Sequence, residues 1–269
     1  MKKLKINAYC NDTIVPSTSS FNESKYVEWV TDGSGEINFY INLNSLDVLN
    51  DKSDLPKYVW LLESRNIMPH IFDFVENNKE FISSRCDGIF TSDEDLCKYD
   101  GFFYSIACAA SWIQDRQVYE KSKLISMICS DKSYTPGHRK RLEYLEKFKD
   151  KVDLYGRGFN EIDVKEKGLS DYMFSIAIEN ACYETCFTEK ITDCFATGTI
   201  PIYYGCRGVV KYFNEDGIIF LDDDFNIDSL TENLYYSKID AVRENFEIVQ
   251  NFPVAEDYIY QNYLTEYSK

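Results

Sequence analysis

The sequence is poor in several residue types and patterns. Only two histidines, His70 and His138, stand among 269 residues, and the nine cysteines show no paired spacing. Cys182 and Cys186 at i, i+4 suit one edge of a zinc site, but no second cysteine pair or nearby histidine completes the four ligands that a structural zinc requires. No metal is therefore expected, and scattered cysteines of this kind read as reduced core thiols of a cytoplasmic protein. Basic residues are outnumbered, 29 Lys+Arg against 45 Asp+Glu, for a formal charge of −16. That balance excludes the broad basic face of a duplex nucleic-acid binder and docking on anionic lipid. Long apolar runs are missing as well. The longest, Tyr104 to Ile113, is half of the roughly 20 residues that span a bilayer. The opening MKKLKINAYCND lacks the apolar stretch of about 7–15 residues that marks an export signal, so neither a transmembrane segment nor a signal peptide is expected.

What the chain does have is apolar surface to bury: 44% hydrophobic and 16% aromatic residues, which makes it globular. Short apolar runs alternate with longer mixed stretches, the pattern of strands joined by helices in an α/β fold. Strands are expected at Leu4–Tyr9, Ile37–Ile41, Tyr58–Leu62 and Gly88–Thr91, while Phe102–Ile113 reads equally as a buried helix or as a strand followed by a helix. A second series follows: strands at Lys123–Cys129, Val152–Tyr155, Met173–Ile178, Ile200–Tyr204 and Gly217–Leu221, with helices over His138–Lys149 and Thr188–Ala196. Two such series suggest two Rossmann-like lobes, residues 1–120 and 121–269, with a C-terminal helix free to pack back on the first. In open α/β sheets, ligands sit beyond the carboxyl ends of the strands. The charge is uneven in a way that bears on this. Lys121–Lys151 holds nine basic and four acidic residues, whereas Tyr212–Asp240 holds eight acidic residues and one lysine. The basic segment lies among the strand ends of the second series and suits a small phosphorylated ligand.

The stretch YMFSIAIENACYETCFTEKITDCFATGTIPIYYG (172–205) carries the most chemistry. A buried strand delivers Glu179 and Asn180, and Thr188-Glu189-Lys190 opens a helix whose free N–H groups and dipole favour anions. Lys190 suits a phosphate and Glu189 suits sugar or ribose hydroxyls. The plainer reading of the same residues is a helix cap, with Thr188 as N-cap and Glu189 in the first turn.

Ile178-Glu179-Asn180, then Thr188-Glu189-Lys190, then Gly198, Pro201 and Gly205 resemble the signature of the family 10 glycosyltransferases, the α-1,3/α-1,4-fucosyltransferases: F-E-N, T-E-K and A-G-x-x-P-(I/V)-x-x-G. The resemblance is strong over about Ser126–Asp223. It implies a GT-B fold of two Rossmann-like lobes with a cleft between them, inverting transfer of fucose from GDP-fucose to a glycan hydroxyl, and no cofactor. The soluble bacterial and viral members are the nearest in kind. By this resemblance Asn180, Glu189 and Lys190 contact the donor, with Glu179, Tyr155 and Gly156 beside them. An arginine binds the diphosphate: Arg139 is the best match and Arg141 the fallback. An arginine fork suits two phosphate oxygens, and cations there stabilise the leaving group. Cys186 departs from the family, which commonly has an aromatic at that position; Tyr183 or Phe187 would have to fill the space.

An inverting transfer needs a base for the attacking hydroxyl. Tyr58–Ser64 (YVWLLES) resembles the family's W-x-x-F-E-S segment, one residue shorter, which implies Glu63 as the base; Glu179 and Asp93, Glu94 and Asp95 compete. Phe81–Asp87 loosely resembles the S-Y-R-x-D-S-D stretch. Gly156-Arg157-Gly158 lacks the third glycine of a dinucleotide fingerprint, and Asp222–Asp224 reads as a solvated loop rather than a Mg²⁺ site. His138 touches a phosphate or caps its helix, and His70, after Pro69, lines the acceptor cleft or, on the plainer reading, is structural. The tyrosines 258, 260, 263 and 267 read as anchors of a tail helix. Two alternatives stay open: another nucleotide sugar on the same scaffold, or a catalytically silent nucleotide- or carbohydrate-binding protein.

Overall fold

The structure, a computed structural model, describes residues 2–11, 22–107, 109–182 and 184–268. The chain forms two compact units, residues 1–108 together with 253–269, and residues 109–252. In the first unit β1 (Leu4–Tyr9), β2 (Val27–Val30), β3 (Ile37–Ile41) and β4 (Lys57–Leu61) are followed by α1 (Pro69–Asn77), α2 (Lys79–Ser83), β5 (Gly88–Thr91) and β6 (Phe102–Tyr104). All six strands run parallel in the order β2-β1-β3-β4-β5-β6. A parallel sheet is covered on both faces, which is why β3 and β5 are buried along their whole length and mostly apolar, with Asn38 and Thr91 as the polar exceptions. Helix α1 starts on Pro69, whose fixed φ suits a first turn, and turns Ile71, Phe72 and Val75 onto Val59, Leu61 and Ile89. The ambiguous stretch after Gly101 opens with a short strand, β6, and among the described residues of 105–113 there is no helix behind it. The edge strand β2 (VEWV) had no signature of its own, being four residues long with a glutamate inside.

The second unit holds β7 (Lys123–Ile128), α3 (Pro136–Phe148), β8 (Asp153–Tyr155), β9 (Tyr172–Ile178), α4 (Glu189–Ala196), β10 (Ile200–Tyr204), β11 (Ile219–Phe220), α5 (Glu232–Ser237) and α6 (Ile239–Gln250). Its five parallel strands are ordered β11-β10-β9-β7-β8, so the wholly buried β9 is central. Helices α3 and α4 make the crossovers from β7 to β8 and from β9 to β10. The crossover from β8 to β9 instead carries one turn of 3-10 helix, Lys165–Gly168, and is irregular elsewhere. Helix α3 begins with Thr135 as N-cap and Pro136 in the first turn; the Thr135 side chain accepts from the His138 amide, and His138 Nδ1 accepts from the Thr135 amide. Its first turn lies against the end of β9. A Cβ on Gly137 would stand 2.0 Å from the Glu179 carbonyl oxygen, so only glycine permits that approach.

Residues 253–269, with α7 (Ala255–Ile259), complete the first unit. Tyr260 stacks on Tyr26 at 4.9 Å, Tyr263 packs against Phe90 and Phe103, and Tyr258 meets Tyr104 edge-on. Among the described residues no helix is long and apolar enough to cross a membrane.

Candidate functional site

The carboxyl end of β9 is the hub of the second unit. Glu179 is buried there, and its carboxylate accepts from the Thr188 amide (2.9 Å), the Thr188 hydroxyl (2.7 Å) and the Tyr203 hydroxyl (3.2 Å). Lys190 Nζ lies 3.3 Å from the same group. A fully buried carboxylate is tolerated only with such compensation. The bonds do more than neutralise it, since they fix the first turn of α4 against the end of the strand. Thr188 is the N-cap of α4, so capping and site geometry are here the same arrangement.

Glu189 and Lys190 face a cavity of about 470 Å³, together with Arg141 from α3, Lys165 from the irregular crossover, and Gly156 and Arg157 after β8. Burial alone would raise the Glu189 carboxyl, but Lys190 and Lys165 outweigh it and hold the pKa at about 2. Burial alone would pull the Lys190 ammonium down; Glu189 and Glu179 outweigh that and raise it. Both groups are therefore charged, and the cavity presents an acceptor beside a cation. Arg141 is buried, and its Nη2 donates to the Ile178 carbonyl (3.0 Å) and to Asn180 Oδ1 (2.8 Å). Two donors to fixed acceptors orient the guanidinium plane at the cavity wall.

Arg139, two residues earlier, turns the other way. Its Nη1 donates to the carbonyls of Ser133 and Tyr134 on the surface, outside the cavity. Asn180 Oδ1 accepts from Arg141, and Asn180 is not among the residues that line the cavity. Gly156 lines it with φ +114°, in the left-handed region, and a Cβ there would stand 2.0 Å from the Cys129 carbonyl oxygen. Tyr155 lies beside the cavity, its hydroxyl paired with that of Tyr172 at 2.7 Å. Cys186 is buried; Phe187 packs with Tyr212, Phe213 and Phe252 in the core, and Tyr183 lies outside the described residues. His138 caps α3, His70 is exposed in the first turn of α1, and Asp222–Asp224 are exposed. Phe81–Asp87 spans the end of α2 and the turn into β5.

Three further residues escaped sequence reasoning. Asp193, fully buried on α4, accepts from Ser111 Oγ (3.0 Å) and the Trp112 amide (2.6 Å), and pairs with Lys165 Nζ at 2.5 Å. Lys165 stands 4.6 Å from the centre of the Trp112 ring and 3.6 Å from Glu189. The one available signal was a carboxylate inside the apolar stripe of α4, between Ile191 and Cys194, because an acid at a core position has a partner. Which partner was not readable.

In the first unit, Glu63 follows β4 and is half-buried. Asn42 Oδ1 accepts from the backbone amides of Leu62 (3.0 Å) and Glu63 (3.1 Å). On the other side of Glu63, Arg65 pairs with Asp93 (3.0 Å) and Glu76 (2.5 Å).

Residues 118–265, more than half of the chain, match the family model for the C-terminal region of glycosyltransferase family 10 (fucosyltransferase). An α-(1,3)-fucosyltransferase, FucT, of Helicobacter pylori is 32% identical over 111 residues, 39% of this chain and 22% of the relative. A putative fucosyltransferase of Acanthamoeba polyphaga mimivirus is 27% identical over 119 residues, 38% of this chain and 20% of the relative. The similarity thus spans about a fifth of each of these relatives. In fold, an α1,3-fucosyltransferase crystal structure superposes with a TM-score of 0.55 at 15% identity, over 99% of this chain and 88% of the other. Another, with GDP-fucose, gives 0.53 at 15% identity over 94% and 91%. TarM gives 0.58 at 12% identity over 93% and 56%. The two parallel sheets are those of the GT-B glycosyltransferases, and the chain belongs to glycosyltransferase family 10, the fucosyltransferase family.

Proposed function

We propose that the protein is an inverting fucosyltransferase that uses GDP-fucose as donor and a glycan hydroxyl as acceptor. The carrying observation is the convergence of Arg141, Lys190 and Glu189 on one cavity at the start of α4. In this reading the diphosphate lies between the Arg141 guanidinium and the Lys190 ammonium, at the amino end of α4 where the helix dipole favours anions. Glu189, held ionised by Lys190 and Lys165, accepts hydroxyls of the ribose or the sugar. The acceptor oxygen bonds to the anomeric carbon as the bond from that carbon to the β-phosphate oxygen breaks. The electron pair leaves with GDP, and Glu63 takes the proton of the acceptor hydroxyl. The negative charge developing on the diphosphate is met by Arg141 and Lys190, which act in the transition state as well as in binding, with no cofactor assigned a part. Arg141, rather than Arg139, takes the diphosphate role because it alone of the two faces the cavity. The eight described cysteines are free thiols, which supports a reducing compartment such as the cytoplasm.

The test is a calorimetric and thermal-shift series with GDP-fucose, GDP-mannose, UDP-galactose and GDP, followed by product analysis on a panel of glycans. Binding of GDP and GDP-fucose and release of GDP with formation of a fucosylated product are expected. Turnover of another sugar nucleotide but not GDP-fucose would retain the transferase and remove the fucose. Binding of GDP without turnover on any acceptor would leave a silent nucleotide-binding protein.

A further inference from the structure

Asn42 combines three properties that rarely meet in one residue. Among the described residues it is the only non-glycine with positive φ, at 52°. It is wholly buried, and its side-chain Nδ2 is a buried donor without a hydrogen-bond partner. Left-handed backbone and an unpaired buried amide are each unfavourable, and such features persist where the surrounding structure uses them. The use is visible in the acceptor of the same side chain. Strands β3 and β4 pair in register up to Ile41 and Trp60, and at Asn42 the chain turns away into the 3-10 helix Asn42–Asn50. Beyond that point β3 offers no further backbone carbonyl to its neighbour. Asn42 Oδ1 takes its place, accepting both the Leu62 and the Glu63 amides. Behind Glu63 the chain is tied a second time, through Arg65 to Asp93 on the segment after β5 and to Glu76 on α1.

We propose that Asn42 is a positioning residue for the Glu63 carboxylate: its left-handed turn and side-chain carbonyl fix the backbone from which the base projects. The inference rests on Glu63 being the base. A glutamate side chain has three rotatable bonds, so its own freedom is controlled only if its backbone is fixed first. Arg65 restrains the loop from two residues away, whereas Asn42 holds the Glu63 amide itself. Rigid support of a reacting group matters because a displacement of about 1 Å lowers a rate by roughly 10²-fold.

The test separates the backbone turn from the acceptor. Asn42→Gly keeps the left-handed turn and removes the carbonyl; Asn42→Asp keeps both an acceptor and a residue that tolerates the turn. Turnover is read as GDP release from GDP-fucose with water as acceptor, alongside donor KM and the thermal midpoint. Asn42→Gly is expected to lower kcat about 10- to 100-fold with donor KM unchanged, and Asn42→Asp to recover most of that loss. Wild-type kcat in Asn42→Gly, or an equal loss in both variants, overturns the inference. If Asn42→Gly fails to fold, amide exchange in the wild-type protein decides. Protection of the Glu63 amide matching the amides of β4 is expected, and exchange at the rate of an open loop overturns the clamp. Glu63→Gln distinguishes the two levels. Full turnover in that variant removes the base assignment itself, while an inactive Glu63→Gln beside a fully active Asn42→Gly removes only the role of Asn42.

Discussion

Arg139 and Arg141 are separated by two residues, about 200° around a helix, so one of them faces the sheet and the other faces water. Arg141 shares its face with Tyr144, Leu145 and Phe148, at i+3, i+4 and i+7, and all four are buried. Replacing it with alanine removes charge-assisted bonds worth about 1.5–3 kcal/mol and leaves the Ile178 carbonyl without its donor. Arg141→Ala is accordingly expected to weaken GDP binding by roughly 10- to 100-fold by calorimetry, with Arg141→Lys recovering little because an ammonium lacks the fork. Arg139→Ala removes two exposed contacts to backbone carbonyls and should leave GDP affinity within about twofold. The reverse ranking would return the diphosphate role to Arg139. The distinction was present in the sequence as the i, i+3, i+4, i+7 pattern running through Arg141, although family spacing favours its neighbour. Asp193 and Lys165 differ in kind. They meet across 28 residues of sequence, through a crossover without a regular helix, and no local pattern announces such a pair.

At the scale of elements, the site depends on two helix starts set against one strand end, and each start carries a group whose ionisation is shifted, His138 on α3 and Glu189 on α4. At the head of α3, His138 Nδ1 accepts from the Thr135 amide, which requires the imidazole to be unprotonated at that nitrogen. Burial is the main cause that lowers its pKa to about 4, reinforced by the positive charges of Arg141, Lys132 and Lys190. The ordinary value is about 6.5, so between pH 6.5 and pH 4 the unfolded chain binds the proton and the folded chain does not. The stability associated with neutral His138 is thus fully present above about 6.5 and is lost as the pH falls through about 4. Its size is on the order of 2 kcal/mol. Glu189 acts in the same direction but lower, from its ordinary 4.5 down to about 2. A thermal midpoint that falls on acidification from pH 6.5 is expected. His138→Gln should flatten the part of the slope above about 4.5, since glutamine at this position can preserve the capping box without titrating. An unchanged slope in that variant would place the titrating group elsewhere. Strand and helix order in this half followed from apolar runs and turn residues. The pH response did not, because it depends on the charges that α3 and α4 bring together at the end of β9.

Over the whole molecule, a net charge of −16 conceals a cationic cavity wall, and the chain leaves its first unit at residue 108 and returns to it at 253, a return that the sequence left open for a C-terminal helix. The tyrosines of the tail mark the return, and a further tie is an acid that nothing in the sequence singles out. Asp257, buried on α7, accepts from the Ser24 hydroxyl, from the Lys25 amide at 3.0 Å and from the Tyr26 amide at 3.4 Å. These residues lead into β2, and the Tyr26 carbonyl accepts from the Leu4 amide at the start of β1. An edge strand of four residues has little pairing of its own, so its order depends on the segment that delivers it. Asp257→Ala leaves the Ser24 hydroxyl and the Lys25 amide without their acceptor, while the Tyr26 amide keeps Ser24 Oγ, with an expected loss of about 2–4 kcal/mol. The loss should be local before it is global. Hydrogen exchange should accelerate most at Val27–Val30 and the first residues of β1, while β3 and β4, central in the same sheet, keep most of their protection. Uniform loss across β1 to β4 would show the tail to be part of the cooperative core of that unit, and unchanged exchange at β2 would show that the aromatic contacts of Tyr258, Tyr260 and Tyr263 suffice without Asp257.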